Sequence, residues 1–347
     1  MSVKPEIAPA ERDGDERTGG RQILFRIGPQ GYLIVVFFAV AIVGTLASEF
    51  FLTPRNIENI AISTSIVAVL AVGQYLVIVT RGIDLSVGSV AALSTVVVAV
   101  LMKNGSSVGI AVIAALTVCA LAGLFNGVMV VFAGITPFVA TLAMLSIARG
   151  VAFLIQIGTL IVISNTSFLS IFGGVTASLP NVVLIALAVT LLAAFVMKFS
   201  PFGRRLYAFG GNPEAARLSG LPVTRDQLMA YTASGLLAGL AGLMIAGRLS
   251  QGSSLVGQGY ELDSIAAAVV GGTSLFGGTG DPISTVLGAL IIGMIGNIMN
   301  LLGIQSEPQL VIRGFVILIA VFFTSGNGIQ RVRAGVTKLR PTKTKAS

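Results

Sequence analysis

The chain has no histidine, no tryptophan and only one cysteine, Cys119, in its 347 residues. The absence of histidine excludes imidazole proton relays and histidine-ligated metals, and a single cysteine cannot close a disulfide within the chain. Cys119 lies inside an apolar run, which is typical of a small buried core residue. Without paired thiols or clustered carboxylates, the sequence predicts a protein that binds no metal and is not an enzyme.

Charged residues are also scarce: they make up 10% of the chain, whereas hydrophobic residues make up 54%. A soluble domain has about 25% charged residues, and a helix that spans a membrane needs about 20 apolar residues. We therefore predict an all-α polytopic membrane protein with about ten transmembrane helices. The predicted segments are 31–50, 59–79, 84–102, 108–132, 137–157, 180–198, 227–247, 262–278, 283–303 and 309–325.

Short similarities between the two halves of the chain predict a weak inverted repeat of five helices. Arg149–Ile155 resembles Arg313–Ile319, and the dipeptide that ends in Asp84 resembles the one that ends in Asp263. The members of each pair would cross the membrane in opposite directions, as in transporters built from inverted repeats. The segment 262–278 leads into a glycine-rich stretch, for which a broken and a re-entrant helix both fit.

The distribution of basic residues predicts that both termini are cytoplasmic. In that orientation 17 of the 22 lysines and arginines face the cytoplasm, in agreement with the positive-inside rule. This bias accounts for the net charge of +8 without a nucleic-acid partner, and the basic C-terminal segment would meet anionic membrane lipid. The predicted domains are a disordered cytoplasmic tail (1–28), a transmembrane domain (29–326) with a cytoplasmic loop (199–226), and a basic cytoplasmic tail (327–347).

The loop at 199–226 contains the signals of a short, rigid helix. Asn212 suits the N-cap position and Pro213 the first helical position, while Gly220 and Pro222 end the helix. A short helix with small side chains on the cytoplasmic side suits docking to a soluble partner, although any surface helix could have the same caps. The residues predicted to couple to such a partner are Gly211, Asn212, Glu214, Ala215, Ala216, Arg217, Leu218 and Gly220.

Five polar residues within the predicted apolar segments allow two interpretations. Amide groups can recognise a polar ligand, and a charge deep in a membrane is a candidate for function. The same groups also form hydrogen bonds between helices, and an arginine can bond to backbone carbonyls at a broken helix. The candidates for a translocation path are Gln74, Asn126, Arg149, Asn297 and Asn300.

No segment of the chain has the signature of a nucleotide site. The glycine-rich stretch 271–280 lacks the lysine, followed by serine or threonine, that a phosphate loop needs. We therefore expect no cofactor on this chain. If transport is driven by ATP, then ATP and Mg²⁺ bind to a separate ATPase chain.

Three stretches, Thr80–Ser89, Gly210–Gly220 and Gly259–Ser274, resemble the permease subunits of ATP-binding-cassette (ABC) importers of the ribose/xylose type. The resemblance runs from about residue 45 to 325 and is poor at 158–180. It implies a type II importer fold in a bacterial inner membrane, where the chain would import a monosaccharide. It also implies a second permease copy, identical or paralogous, together with cytoplasmic ABC ATPase subunits and an external sugar-binding protein.

The alternative function is that of an ion-coupled secondary transporter of a small polar solute. Such a carrier needs a carboxylate or a similar group deep in the membrane. The acidic residues nearest to the membrane, which are Asp84, Glu261, Asp263, Asp281 and Glu307, all lie at the ends of predicted segments. This disfavours ion coupling through a carboxylate, but it does not exclude coupling to a sodium ion that backbone carbonyls bind.

Overall fold

A computed structural model describes residues 29–324, which form thirteen α-helices and four two-residue β-strands. The helices are α1 (Pro29–Ala47), α2 (Pro54–Val79), α3 (Val87–Lys103), α4 (Val108–Val131), α5 (Pro137–Gln156), α6 (Thr166–Phe172), α7 (Asn181–Phe199), α8 (Pro201–Gly211), α9 (Pro213–Leu218), α10 (Val223–Leu249), α11 (Tyr260–Val270), α12 (Pro282–Leu301) and α13 (Ser306–Thr324). The strands are β1 (Ile161–Val162), β2 (Val175–Thr176), β3 (Leu179–Pro180) and β4 (Gln251–Gly252). The predicted tails, 1–28 and 327–347, lie outside these residues.

Each of the ten segments predicted to span the membrane contains a helix. Within residues 29–324, six helices are long and apolar enough to cross a membrane, namely α2, α4, α5, α7, α10 and α12, while α1 and α3 contain shorter apolar stretches. The predicted all-α polytopic architecture is therefore confirmed. The count of ten spans and the inverted repeat stay predictions.

Helices α2 and α10 lie at the centre of the fold. The most apolar window of α2 is 89% buried, whereas the corresponding windows of α4 and α7 are each 22% buried. Helix α10 packs against α2, α3 and α4. The outer helices expose large apolar side chains such as Ile113 and Phe195, which fits a surface that meets lipid or another membrane subunit.

Close packing of α4 against α10 depends on glycine. A Cβ atom at Gly123 would overlap the backbone carbonyl of Tyr231, and one at Gly235 would overlap the carbonyl of Cys119. Cys119 is completely buried at this contact, as its apolar surroundings predict. Small residues let two helix backbones approach each other, which is how helices associate in lipid.

Only the first part of the segment predicted at 262–278 is helical. Helix α11 ends at Val270 after 11 residues, a length of about 16 Å at 1.5 Å per residue. The chain then follows a non-helical path with positive φ angles at Gly272 and Gly278. This path is packed within the protein, because a Cβ atom at Gly271 would lie 2.5 Å from the carbonyl oxygen of Ser284. Irregular backbone is tolerated in a membrane protein where other protein groups bury it.

The segment 158–180, where the family resemblance is poor, contains α6 and three of the strands. β1 pairs with β4 and β2 pairs with β3, both antiparallel. Asn165 caps α6 by accepting a hydrogen bond from the N–H of Phe168. The β1–β4 pair fastens this segment to the chain that follows α10.

Candidate functional site

The loop at 199–226, which we call the coupling loop, forms two helices rather than the single helix that the sequence predicts. Helix α8 begins after Ser200, whose hydroxyl accepts a hydrogen bond from the N–H of Gly203. Helix α9 begins after Asn212, whose side chain accepts one from the N–H of Ala215. The predicted cap at Asn212 is therefore confirmed, and the same kind of cap at Ser200, followed by proline, was the signal for α8.

Helix α9 ends in a left-handed turn at Gly220, where φ is +72°. The N–H of Gly220 donates to the carbonyl of Arg217, and the N–H of Leu221 donates to that of Ala216, which is the Schellman pattern. Ala216 is buried against Phe209. The other residues predicted to couple to a partner are exposed, and these are Gly211, Asn212, Glu214, Ala215, Arg217, Leu218 and Gly220.

Two arginines hold the coupling loop against the membrane helices. Arg205 in α8 forms a bidentate ion pair with Asp226 in α10, with N–O distances of 2.6 and 2.8 Å, and this hydrogen bonding raises the pKa of Arg205. Arg81, which follows α2, donates to the carbonyl oxygens of Gly210 at 2.6 Å and Gly211 at 2.8 Å. The position of the loop is thereby linked to both central helices.

The glycine-rich stretch 271–280 completes this contact. The N–H of Gly278 donates to the carbonyl of Val79 at the end of α2. A Cβ atom at Gly210 would overlap both the carbonyl oxygen of Val79 and the nitrogen of Gly278. Glycine is therefore required at position 210, where α2, α8 and the glycine-rich stretch meet.

Two tyrosines link the same three elements through their hydroxyl groups. Tyr207 of α8 donates to the carbonyl of Gly280 at 2.9 Å and shares a hydrogen bond with the hydroxyl of Tyr75 in α2. Burial raises the pKa of Tyr207, so its hydroxyl keeps the proton that it donates. A movement of α8 would therefore disturb α2 and the glycine-rich stretch together.

Gln74 and Asn126, two of the candidates for a translocation path, are fully buried and bond within the helix bundle. In the orientation that satisfies its amide, Gln74 donates to the carbonyl of Asp84 and accepts from its N–H. Asn126 donates to the hydroxyl of Ser86. Asp84 in turn accepts hydrogen bonds from Ser86 and Ser234. The cluster joins the turn before α3 to α4 and α10.

Arg149 bonds to backbone carbonyls, as one of the two interpretations of the sequence predicts. Its Nη1 donates to the carbonyl of Ser254 at 2.6 Å and to that of Val256 at 2.7 Å. On the same helix, the Gln156 side chain accepts from the N–H of Ser254. Helix α5 thereby holds the irregular chain between β4 and α11.

Asn297 and Asn300 line a polar cavity of 520 Å³ at the N-terminal end of α2. The cavity lies between α2, α11, α12 and α13. The side-chain amides of Asn297 and Asn56 exchange two hydrogen bonds, at 2.7 and 2.9 Å, and Asn300 accepts one from Gln309. The other three path candidates do not line this cavity.

Two ion pairs at these sites were not predicted from the sequence. Asp263 in α11 pairs with Arg313 in α13 at 2.9 Å, and both residues line the cavity. The sequence offered a faint signal for this pair, because both residues belong to the short matches between the two halves of the chain. Arg205 and Asp226 lie on different helices, and no local pattern connects them.

A family model described as "Branched-chain amino acid transport system / permease component" matches residues 56–321. The chain is 42% identical over 296 residues to the ribose import permease protein RbsC of Escherichia coli strain K12, covering 84% of this chain and 92% of that protein. It is 40% identical over 306 residues to RbsC of Bacillus subtilis (86% and 92% covered). It is 38% identical over 292 residues to the D-allose transport system permease protein AlsC of Escherichia coli (84% and 90% covered). No solved structure matches the chain significantly.

The chain therefore belongs to the family of branched-chain amino acid transport system permease components. This confirms the resemblance to ABC-importer permeases that its motifs indicate. The relatives are subunits of transport systems, which agrees with a multi-pass membrane protein that acts as a transport component.

Proposed function

We propose that the chain is the permease subunit of an ATP-driven ABC importer, which moves a monosaccharide across the inner membrane of a bacterium. Relatives named for ribose, allose and arabinose support a ribose- or xylose-like substrate. An external binding protein delivers the sugar, and a second permease copy, identical or paralogous, forms the other half of the path. ATP and Mg²⁺ bind to separate ATPase subunits, and this chain binds neither.

The proposal includes a topology of ten spans in two inverted sets of five, with both termini in the cytoplasm. The excess of lysine and arginine in the coupling loop supports this orientation. The tails 1–28 and 327–347 then flank a permease domain at 29–326 on the cytoplasmic side. In this orientation the coupling loop faces the ATPase and the polar cavity faces the outside.

The observation that carries the proposal is the way in which the coupling loop is built. Helix α9 exposes a short, capped surface, while Arg81, Arg205 and Gly210 fix its base to α2, α10 and the glycine-rich stretch. A partner that moves α9 must therefore move the central helices. A rigid connection of this kind is what an ATPase needs in order to change the shape of a membrane path.

In this mechanism the chain does no chemistry. ATP binding closes the two ATPases, shifts α8 and α9, and turns the bundle toward the outside to accept sugar; hydrolysis resets it. The proposed contacts with the ATPase are the exposed residues of the coupling loop. Ala216 holds α9 in place by packing against Phe209 of α8. Because a receptor supplies the sugar, the permease can bind it weakly and release it quickly.

Co-purification of the tagged permease with its ATPase tests the proposal. Glu214→Lys reverses the charge of an exposed residue in the first turn of α9. We expect this change to reduce the recovered ATPase by about tenfold, equivalent to roughly 1.4 kcal/mol of binding free energy. ATP hydrolysis stimulated by the ribose-loaded binding protein should fall with it.

The matched control is Glu49→Lys, a charge reversal at an exposed position between α1 and α2. This variant should recover the ATPase as the wild type does. Equal recovery by Glu214→Lys would contradict the docking role of α9. A permease that brings no ATPase and moves ribose along a sodium or proton gradient would instead establish the ion-coupled secondary transporter.

A further inference from the structure

We infer that the polar cavity at the N-terminal end of α2 is a binding site for a neutral polyhydroxy ligand of the size of a monosaccharide. The inference rests on the proposed function for the class of substrate. It goes further because it places the substrate within one permease chain and names the groups that would hold it.

The size and shape of the cavity suit a small molecule. Its volume of 520 Å³ falls within the range of about 300–1,000 Å³ that is usual for ligand pockets. One wall is a face of α12, where Gly293, Gly296, Asn297 and Asn300 follow the spacing of three and four residues that aligns side chains on a helix. A Cβ atom at Gly296 would meet nothing within 4 Å, so this wall is flat and leaves room.

Several polar groups in the cavity keep hydrogen-bonding capacity. The amide pair of Asn56 and Asn297 uses one N–H of Asn297 and one lone pair of its oxygen, and an asparagine amide has two of each. Asn59 and Tyr260 also line the cavity, and their side chains form no hydrogen bond within residues 29–324. Sugar hydroxyls, which both donate and accept, match this set of unused donors and acceptors.

The carboxylate that lines the cavity is paired with an arginine, so this ion pair presents no net charge to a ligand. Asp263 is 6% exposed and is neutralised by Arg313 at 2.9 Å. The guanidinium has five N–H donors and a carboxylate has about four acceptor sites, so the pair can still bind neighbouring hydroxyl groups. Arg248 is exposed and donates to the hydroxyl of Ser63 at the edge of the cavity.

Apolar side chains complete the lining. Ile60, Val67, Ile292 and Leu301 contribute to the cavity wall. A sugar ring presents C–H groups on its faces and hydroxyl groups around its edge. The cavity sets these apolar side chains beside its amide and hydroxyl groups, and both parts of a sugar therefore find a matching surface.

Uptake of radiolabelled ribose into proteoliposomes tests the site, with the complete complex of permease, ATPase and binding protein. Gly296→Leu adds a side chain to the wall of the cavity at a position where a Cβ atom meets nothing within 4 Å. We expect ribose uptake to fall by about tenfold or more, while ATPase recovery and stimulated hydrolysis stay near wild type. Gly109→Leu is the matched control, because an added Cβ at this glycine of α4 also meets nothing within 4 Å; it should transport normally.

A second variant tests recognition rather than space. Tyr260→Phe removes only a hydroxyl group, and we expect it to lower ribose uptake by about threefold to tenfold at saturating binding protein. Wild-type uptake by both Gly296→Leu and Tyr260→Phe would overturn the site and leave the proposed importer intact. A wild-type complex that couples to its ATPase but takes up leucine or an anionic sugar phosphate, and not ribose, allose or arabinose, would overturn the monosaccharide assignment and the inference with it.

Discussion

The two ends of α2 use their polar groups in different ways. At the C-terminal end, Arg81 and the carbonyl of Val79 are bonded to the coupling loop and the glycine-rich stretch. At the N-terminal end, the cavity contains Asn59 and Tyr260, whose side chains form no hydrogen bond within residues 29–324. The C-terminal end connects α2 to the coupling loop and the glycine-rich stretch, and we call this contact of Val79, Arg81, Gly210 and Gly278 the joint. The N-terminal end instead forms a surface that can accept a ligand.

The middle of α2 connects these two regions. The helix has 26 residues and is about 39 Å long at 1.5 Å per residue. Its apolar window is almost completely buried, so a displacement at Arg81 must be taken up by neighbouring helices. Because packed cores resist gradual deformation, we expect such a displacement to be passed on to the cavity rather than absorbed.

The largest expected effect comes from breaking the joint at its closest contact. Gly210→Ala would place a Cβ atom against the backbone of Val79 and Gly278, and neither can move without displacing its helix or turn. We expect a loss of about 2–3 kcal/mol of stability from overpacking, measured as a lower melting temperature in detergent. The ATPase activity of the complex should also stop responding to the loaded binding protein.

The neighbouring glycine provides the control for this prediction. A Cβ atom at Gly211 would meet nothing within 4 Å, so Gly211→Ala should change stability by no more than about 0.5 kcal/mol. If both alanine variants melt at the wild-type temperature, the contact between α8 and the glycine-rich stretch is not a rigid joint.

A smaller effect is expected from separating the charges at the cavity. Arg313→Met leaves Asp263 buried without a partner, and we expect a loss of about 1–2 kcal/mol, below the usual cost for a fully buried pair because Arg313 is 28% exposed. The double variant Arg313→Met with Asp263→Asn should regain most of the stability but not the ribose uptake. Thermal denaturation and uptake measured on Arg313→Met, Asp263→Asn and the double variant would show this, and additive losses would mean that the pair is not coupled.

Features that depend on local chemistry could be predicted from the sequence. The helix positions follow from apolar runs, and the start and end of α9 follow from Asn212 and Gly220, whose caps involve only neighbouring residues. In each case the physical cause lies within a few residues along the chain.

The joint and the cavity could not be predicted because their contacts join distant parts of the chain. Arg149 fitted two interpretations, since the outcome depends on whether the carbonyl of Ser254, 105 residues away, approaches it. The pair of Asp263 and Arg313 likewise depends on α11 packing against α13. No local pattern in the sequence specifies which helices become neighbours. The sequence therefore names the candidate path residues but does not separate those that bond within the helix bundle from those that line the cavity.

The smallest effect on stability is expected at Leu218, which separates docking from folding at the coupling loop. Its side chain is 83% exposed on α9, so Leu218→Ala should alter the melting temperature of the permease very little. If the ATPase covers this side chain, its loss should weaken ATPase binding by about 1–2 kcal/mol, or roughly fivefold to thirtyfold. Leu46→Ala is the matched control, because Leu46 in α1 is 82% exposed and lies outside the coupling loop. Titration of the ATPase against both variants in nanodiscs measures the difference, and equal affinities would mean that the exposed face of α9 is not part of the interface.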